Sequence, residues 1–307
     1  MNRRESLQTM GLATAALMIP GVACSRPARE QTKFRYCLNT STIRGQELGL
    51  LGDIETAARA GYDSLELWVR DVQAYVNSGK TFQSLHTFIR DNGLEVANAI
   101  GFAPWLSDDE ETSQRGFVQM REEMELMAAI GCTRIAAPPA GQFIRHELDL
   151  FEAGDKYRRL IALGRETGVM PHLEFWGASP VLFHMGQIMM IGAAAGDPDV
   201  KLLPDVYHMF RGGSSYESLK MLQGHTIEIF HINDFPADIP RTDQTDADRV
   251  HPGDGAAPMQ QIFDDLYEMG GVKYLSLELF NPGYWQQDAL EVARTGLEKM
   301  KKFAKGR

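Results

Sequence analysis

Glu174, Asp205, His231 and Glu278 each interrupt an otherwise apolar run, in "PHLEFWG", "KLLPDVYHMFRGG", "IEIFHIND" and "LSLELFN". Taken singly, a carboxylate in such a place is ordinarily satisfied by a tyrosine, a tryptophan or a backbone amide. Three carboxylates and an imidazole converging on one place are a different matter. Like charges brought close repel and force protonation unless a cation sits between them. One divalent ion resolves that conflict. An oxygen-rich set with one imidazole and no thiolate suits Mn²⁺, Mg²⁺, Co²⁺ or Zn²⁺ at a catalytic rather than a structural site.

For these side chains to converge, the elements carrying them must hold them at equivalent positions. Eight short apolar runs fall at residues 34–39, 64–68, 95–100, 134–138, 170–175, 200–205, 227–232 and 274–280. Between them the spacing turns helical: Ile54, Ala57, Ala58 and Gly61 share one face, as do Val118, Met120, Met124, Met127 and Ile130. Five helices end in a glycine expected to be left-handed, in "ARAGY", "RDNGL", "AAIGC", "RETGV" and "YEMGG", which sets where the next strand begins. Strands alternating with helices predict parallel pairing through right-handed crossovers. Eight such units predict a single-domain α/β fold, a closed (β/α)8 TIM barrel, with its active site at the C-terminal strand ends. That position is held by Asn39, Glu66, Glu174, Asp205, His231 and Glu278. Pro204, just before Asp205, is out of place in a central strand and predicts that strand six ends or bulges there.

The chain has 307 residues, with 31 basic against 41 acidic side chains and a net charge of −10. An acidic surface with no basic cluster argues against nucleic acid as a partner. Three cysteines (Cys24, Cys37 and Cys132) form no metal-binding spacing. No glycine-rich phosphate loop follows the first strand. The opening "MNRRESLQTMGLATAALMIPGVACS" pairs Arg3 and Arg4 with an apolar run and a breaker, the layout of a Tat-like export signal over residues 1–24. "GVAC" resembles a lipobox that would tether the protein to a membrane through lipidated Cys24; the alternative is ordinary cleavage near Ala23. Residues 25–32 read as a linker and 33–307 as the barrel, which would place the protein in the periplasm, exported and either free or lipid-anchored.

The order Glu, Asp, His, Glu on strands five to eight resembles the metal site of the xylose isomerase-like TIM barrels, the superfamily of sugar isomerases, ketose epimerases and inosose dehydratase. Similarity runs from about Phe34 to the C-terminus and is most specific in "DVYHM", "HINDFP", "DRVHPGDG" and "LSLELFNPGYW", the last three resembling sequences labelled sugar phosphate isomerase/epimerase. The resemblance implies one divalent metal on Glu174, Asp205, His231 and Glu278, with Glu174 and Glu278 also acting as an acid/base pair. It further implies substrate contacts from His208, Arg249 and Glu66. The bland readings are that Arg249 pairs with Asp246 or Asp248 and Glu66 with Arg70. Trp176 stands where relatives carry a smaller residue and joins the expected substrate contacts. Trp68, Phe175, Phe210, Tyr284 and Trp285 lie in or beside the rim segments; Trp105 reads as packing. The expected activity is isomerisation or epimerisation of a sugar or keto-sugar through an enediolate. Alternatives are a dehydratase or lyase on a keto-inositol or 3-keto-glycoside, and a non-catalytic sugar-binding barrel. Export and the lack of a phosphate cup favour a non-phosphorylated small-molecule substrate. Homo-oligomerisation is left open.

Overall fold

The computed structural model describes residues 33–141, 143–145 and 147–305; the expected signal, linker and Cys24 lie outside them. The eight expected strands form: β1 (Lys33–Asn39), β2 (Ser64–Trp68), β3 (Glu95–Ile100), β4 (Arg134–Ala137), β5 (Met170–Glu174), β6 (Leu202–Leu203), β7 (Ile229–Ile232) and β8 (Val272–Leu277). All ladders are parallel, in two arcs ordered β3-β2-β1-β8-β7 and β4-β5-β6. At one seam β3 and β4 run side by side, and Arg134 Nη1 donates to Ala97 O at 3.4 Å. At the other, an isolated bridge joins Asp205 to His231. The arcs curl into the (β/α)8 barrel.

Pro204 explains that second seam. It ends β6 after two residues, against the six expected, because a proline has no N–H to donate to a ladder. Its carbonyl still accepts, and His231 N donates to Pro204 O at 3.0 Å. Beyond it the chain turns at once into the helix Val206–Gly212, with Asp205 as N-cap accepting from His208 N at 2.7 Å.

Alternation along the strands divides the side chains. In β2, Leu65 and Leu67 face the surrounding helices and join the main core, whereas Trp68 belongs to a small apolar cluster that also holds Cys37, Ala136, Leu203 and Ile229. The helix ends behave largely as the glycines predict: Gly61, Gly93, Gly131 and Gly168 all have positive φ. Gly270 differs, with φ 84° and ψ 169°, an extended mirror conformation rather than a left-handed cap. Among the described residues, no helix is long and apolar enough to cross a membrane.

Candidate active site

The upper half of the barrel interior is polar, and its hydrogen bonds form one network. Asn39, at the end of β1, donates from Nδ2 to Glu66 Oε2 at 2.7 Å and to Glu278 Oε1 at 2.9 Å. Its Oδ1 accepts from Ser41 N and from Trp68 Nε1, each at 2.9 Å, so the amide orientation is set. Glu66 is completely buried. It accepts from Asn39 and Ser276 on one oxygen and from Asn98 on the other, which also lies 3.0 Å from His231 Nε2. Glu66 therefore has no free oxygen to offer a substrate and does not line the cavity, contrary to the expected substrate contact; its neighbours are also not Arg70. Beneath the pocket it orients the imidazole instead.

With Nε2 held by Glu66, His231 turns Nδ1 toward Glu278 Oε2 at 3.2 Å and Asp205 Oδ2 at 3.6 Å. Nδ1 is buried and makes a well-formed hydrogen bond to neither. Burial disfavours charge on this ring, but the carboxylates of Glu278, Glu66 and Asp205 outweigh it and raise its basicity well above the ordinary histidine value. Burial would also raise Asp205, yet Arg249, His208 and His231 hold it well below the carboxylate range. Asn233 donates to Asp205 Oδ2 at 2.9 Å.

Glu174 has the opposite fate. Burial, with Glu278, Glu66 and Asp205 nearby and His231 only partly opposing, pushes its carboxyl up to about 8. No cationic side chain pairs with it among the described residues. Arg249 is itself almost completely buried, and its Nη1 lies 2.8 Å from Glu278 Oε2 and 3.0 Å from Asp205 Oδ2. Its Nη2 meets Asp246 Oδ1 at 2.6 Å and His208 Nε2 at 3.1 Å. The expected pairing of Arg249 with Asp246 is present, and it is one contact of four.

Above these groups opens a cavity of about 690 Å³. Its lining combines Glu174, Tyr207, His208, Asp246, Arg249 and Glu278 with Trp68, Phe102, Phe143, Trp176, Pro180 and Phe280. Asp205 and His231 lie just below the floor. Thus Glu174, His208, Arg249, Glu278 and Trp176 reach the cavity. Of the other rim aromatics only Trp68 does. Trp105 and Phe175 are core residues, Phe210 stacks on Phe235 with ring centroids 3.6 Å apart, and Tyr284 packs on His251. Asn98, Asn233 and Ser276 were missed by sequence reasoning. Two of them were legible: Ser276 and Asn233 sit two residues from Glu278 and His231, hence on the same strand face.

The donor set fits a divalent cation through His231 Nδ1, a buried nitrogen with no well-formed hydrogen bond, flanked by the Glu278 and Asp205 carboxylates. Glu66, His231 and Glu278 also offer atoms within 4.8 Å of one another. Because both Glu66 oxygens are already taken, the donors of choice are on the Nδ1 side, with Glu66 supporting the imidazole from behind.

Residues 54–303 match the family model described as xylose isomerase-like TIM barrel. Among curated proteins, the chain is 28% identical over 270 residues to the inosose isomerase of Bacillus velezensis, covering 86% of this chain and 95% of that one. It is 28% identical over 268 residues to the inosose isomerase of Bacillus subtilis, covering 85% and 94%. The solved structure of the IolI protein with a bound zinc atom superposes with a TM-score of 0.80 at 26% identity, covering 88% of this chain and 97% of that one. The 3-keto-D-glucoside 4-epimerase of E. coli shares the fold, with a TM-score of 0.69 at 18% identity over 88% of this chain and all of that one (100%).

Proposed function

From the premise that the chain belongs to the xylose isomerase-like TIM barrel family, we propose that it is a divalent-metal-dependent isomerase or epimerase of a non-phosphorylated keto-sugar or keto-polyol. The observation that carries this reading is the buried Nδ1 of His231, without a well-formed hydrogen bond, between Asp205 and Glu278, with Glu174 lining the cavity above. Glu174, Asp205, His231 and Glu278 would hold the ion. When bound, it would polarise the substrate carbonyl and acidify the neighbouring C–H. The inosose isomerases and the zinc-containing relative support the reaction class and the cation.

The side chains supply the rest. Glu174 and Glu278 both face the cavity, and one removes the proton next to the carbonyl while the other returns a proton. Burial that raises Glu174 toward neutrality suits a group that must accept and release a proton near pH 7. The Arg249 guanidinium, permanently charged, faces the oxygen on which enediolate charge develops. His208 contributes through its tautomer. Gly177 N lies 3.2 Å from Nδ1 and Arg249 Nη2 3.1 Å from Nε2, both donors, and a neutral ring accepts at only one nitrogen. A substrate oxygen entering beside Nε2 would accept from Arg249. Burial, the largest influence on His208, lowers its pKa and keeps the ring neutral.

Export through the signal expected at residues 1–24 is part of the proposal and agrees with a substrate lacking phosphate. The deciding experiment is metal analysis of the purified protein, followed by NMR of inosose and free keto-sugars in D₂O. Deuterium entering the carbon beside the carbonyl, dependent on the metal, is expected. Loss of water from the same substrate would assign a dehydratase, and absence of both exchange and turnover across these compounds would sink the catalytic reading.

A further inference from the structure

The active-site cavity is lined by two chemically unlike sets of side chains, and the polar set alone accounts for a sugar ring. Its charged side chains are Glu174, Asp246, Arg249 and Glu278. Adjoining them, with the Arg249 guanidinium 5.2 Å from the Phe280 ring centre, the aromatic rings form a continuous chain. Trp68 lies 6.2 Å from Phe280 and 5.3 Å from Phe102, and Phe102 lies 6.1 Å from Trp176, centroid to centroid. These are the separations of mutually packed aromatic rings. Pro139, Phe143 and Pro180 also line the cavity. Ser179 Oγ accepts from the backbone N–H groups of Val181 and Leu182 at 3.3 and 3.2 Å.

Three features indicate that the aromatic set is a binding surface rather than loop packing. Trp68 is locked in place, with its indole N–H on Asn39 and the Arg44 and Arg70 guanidiniums 3.8 and 4.6 Å from its ring centre. Phe102 remains 40% exposed, although every neighbour in the chain of rings is an aromatic that could cover it. The volume of about 690 Å³ lies in the upper part of the roughly 300–1,000 Å³ range that encloses drug-sized ligands. A lone polyol ring seated on Glu174, Glu278 and Arg249 would leave the space beside the aromatic rings filled with poorly bound water, which an apolar group displaces favourably.

Resting on the keto-sugar reading, we propose that the natural substrate is a keto-glycoside whose aglycone is aromatic, with the sugar ring on Glu174, Glu278 and Arg249 and the aglycone against Trp68, Phe102 and Trp176.

The test uses the full chain loaded with Mn²⁺ and three probes: 3-ketoglucose, methyl 3-ketoglucoside and phenyl 3-ketoglucoside. Calorimetry gives their affinities, and NMR in D₂O gives exchange at the carbon next to the carbonyl. The phenyl glycoside is expected to bind about tenfold tighter than the methyl glycoside, and Phe102→Ala to shrink that ratio to about twofold. Trp176→Leu, which keeps an apolar side chain of moderate size, guards against a variant that fails to fold and is expected to reduce the ratio too. Equal affinity for the phenyl and methyl compounds, or a ratio unmoved in both variants, overturns the proposal even if exchange is normal. A retained tenfold ratio with no exchange of any probe would support the aromatic subsite while refuting the isomerase reading on which its biological meaning rests.

Discussion

Glu66 Oε1 and His231 Nε2 lie 3.0 Å apart, both completely buried, and this contact decides which face of the imidazole looks into the site. Carboxylate support of this kind fixes the tautomer and raises the basicity of a ligating ring, and removing it ordinarily costs about 10–100-fold in metal affinity. Glu66→Gln keeps the shape but offers an amide to donors that need acceptors. Competition titration with a chromophoric chelator is expected to show weaker Mn²⁺ or Zn²⁺ binding in that range. Unchanged affinity would mean that the orientation of His231 is set elsewhere.

The two cavity glutamates are expected to fail differently from their support. Glu174→Gln and Glu278→Gln each remove a group that accepts a proton, an effect of about 10²–10⁴-fold in rate for general acid or base catalysis. Single-turnover exchange in D₂O at saturating metal separates this from weakened metal binding. If saturating metal restored the wild-type rate to either variant, the acid/base assignment would be wrong for that residue.

The strand-end residues were legible because period two and helical period are written plainly in this chain, and because glycines mark where the strands begin. What the sequence concealed was depth. Glu66 and Glu278 look alike in "SLELW" and "LSLELF". Only the closed barrel shows that Glu66 lies under the floor, where Asn39, Asn98 and Ser276 take its oxygens, whereas Glu278 reaches the cavity. Long-range partners such as Asn39 and Glu278 are 239 positions apart, and no local pattern records that pairing. Pro204 was visible as an anomaly, but its carbonyl role at the β6/β7 seam follows from topology. The aromatic side of the cavity was also only partly legible, since Phe102 reaches it from a loop whose course the sequence pattern does not fix, and Phe280, in the run expected as strand eight, lies beyond the strand's observed end at Leu277.

At the opposite end of the barrel, Glu228 ties together two strands' worth of positive charge, with Oε2 2.7 Å from Arg134 Nε and Oε1 2.7 Å from Lys201 Nζ. Burial would raise its carboxyl, but His172, Lys201 and Arg134 outweigh that and hold it down to about 2. A carboxyl whose folded value lies below its unfolded one stabilises the fold fully above the unfolded value, near 4.5. That contribution fades as the pH falls toward 2. Glu228→Gln is expected to cost about 1–3 kcal/mol at pH 7, allowing for its partial exposure. Urea melts from pH 7 to 2.5 should show the gap from wild type closing; a constant gap would assign the loss to packing or hydrogen bonding instead.

Arg249 and the expected cation address the same carboxylates, since Nη1 of the guanidinium lies 3.0 Å from Asp205 Oδ2 and 2.8 Å from Glu278 Oε2. Without a metal ion, this arginine is the permanent positive charge that keeps two buried carboxylates from facing each other unpaired. Breaking a buried ion pair from one side commonly costs about 3–5 kcal/mol, because the remaining charge is stranded. Arg249→Met, close in volume and uncharged, is therefore expected to lower the metal-free protein's stability by that amount. A bound cation would then take over the same carboxylates, and a ligand that binds only the folded state stabilises in proportion to its affinity. The rise in Tm between EDTA and excess Mn²⁺ is accordingly expected to be larger in Arg249→Met than in wild type. Arg249→Lys, which keeps one charge but cannot span Asp205, Glu278 and Asp246 from a planar fork, should fall between the two. Equal metal-induced shifts in all three proteins would show that guanidinium and metal do not share those oxygens, and would move the cation site away from Asp205 and Glu278.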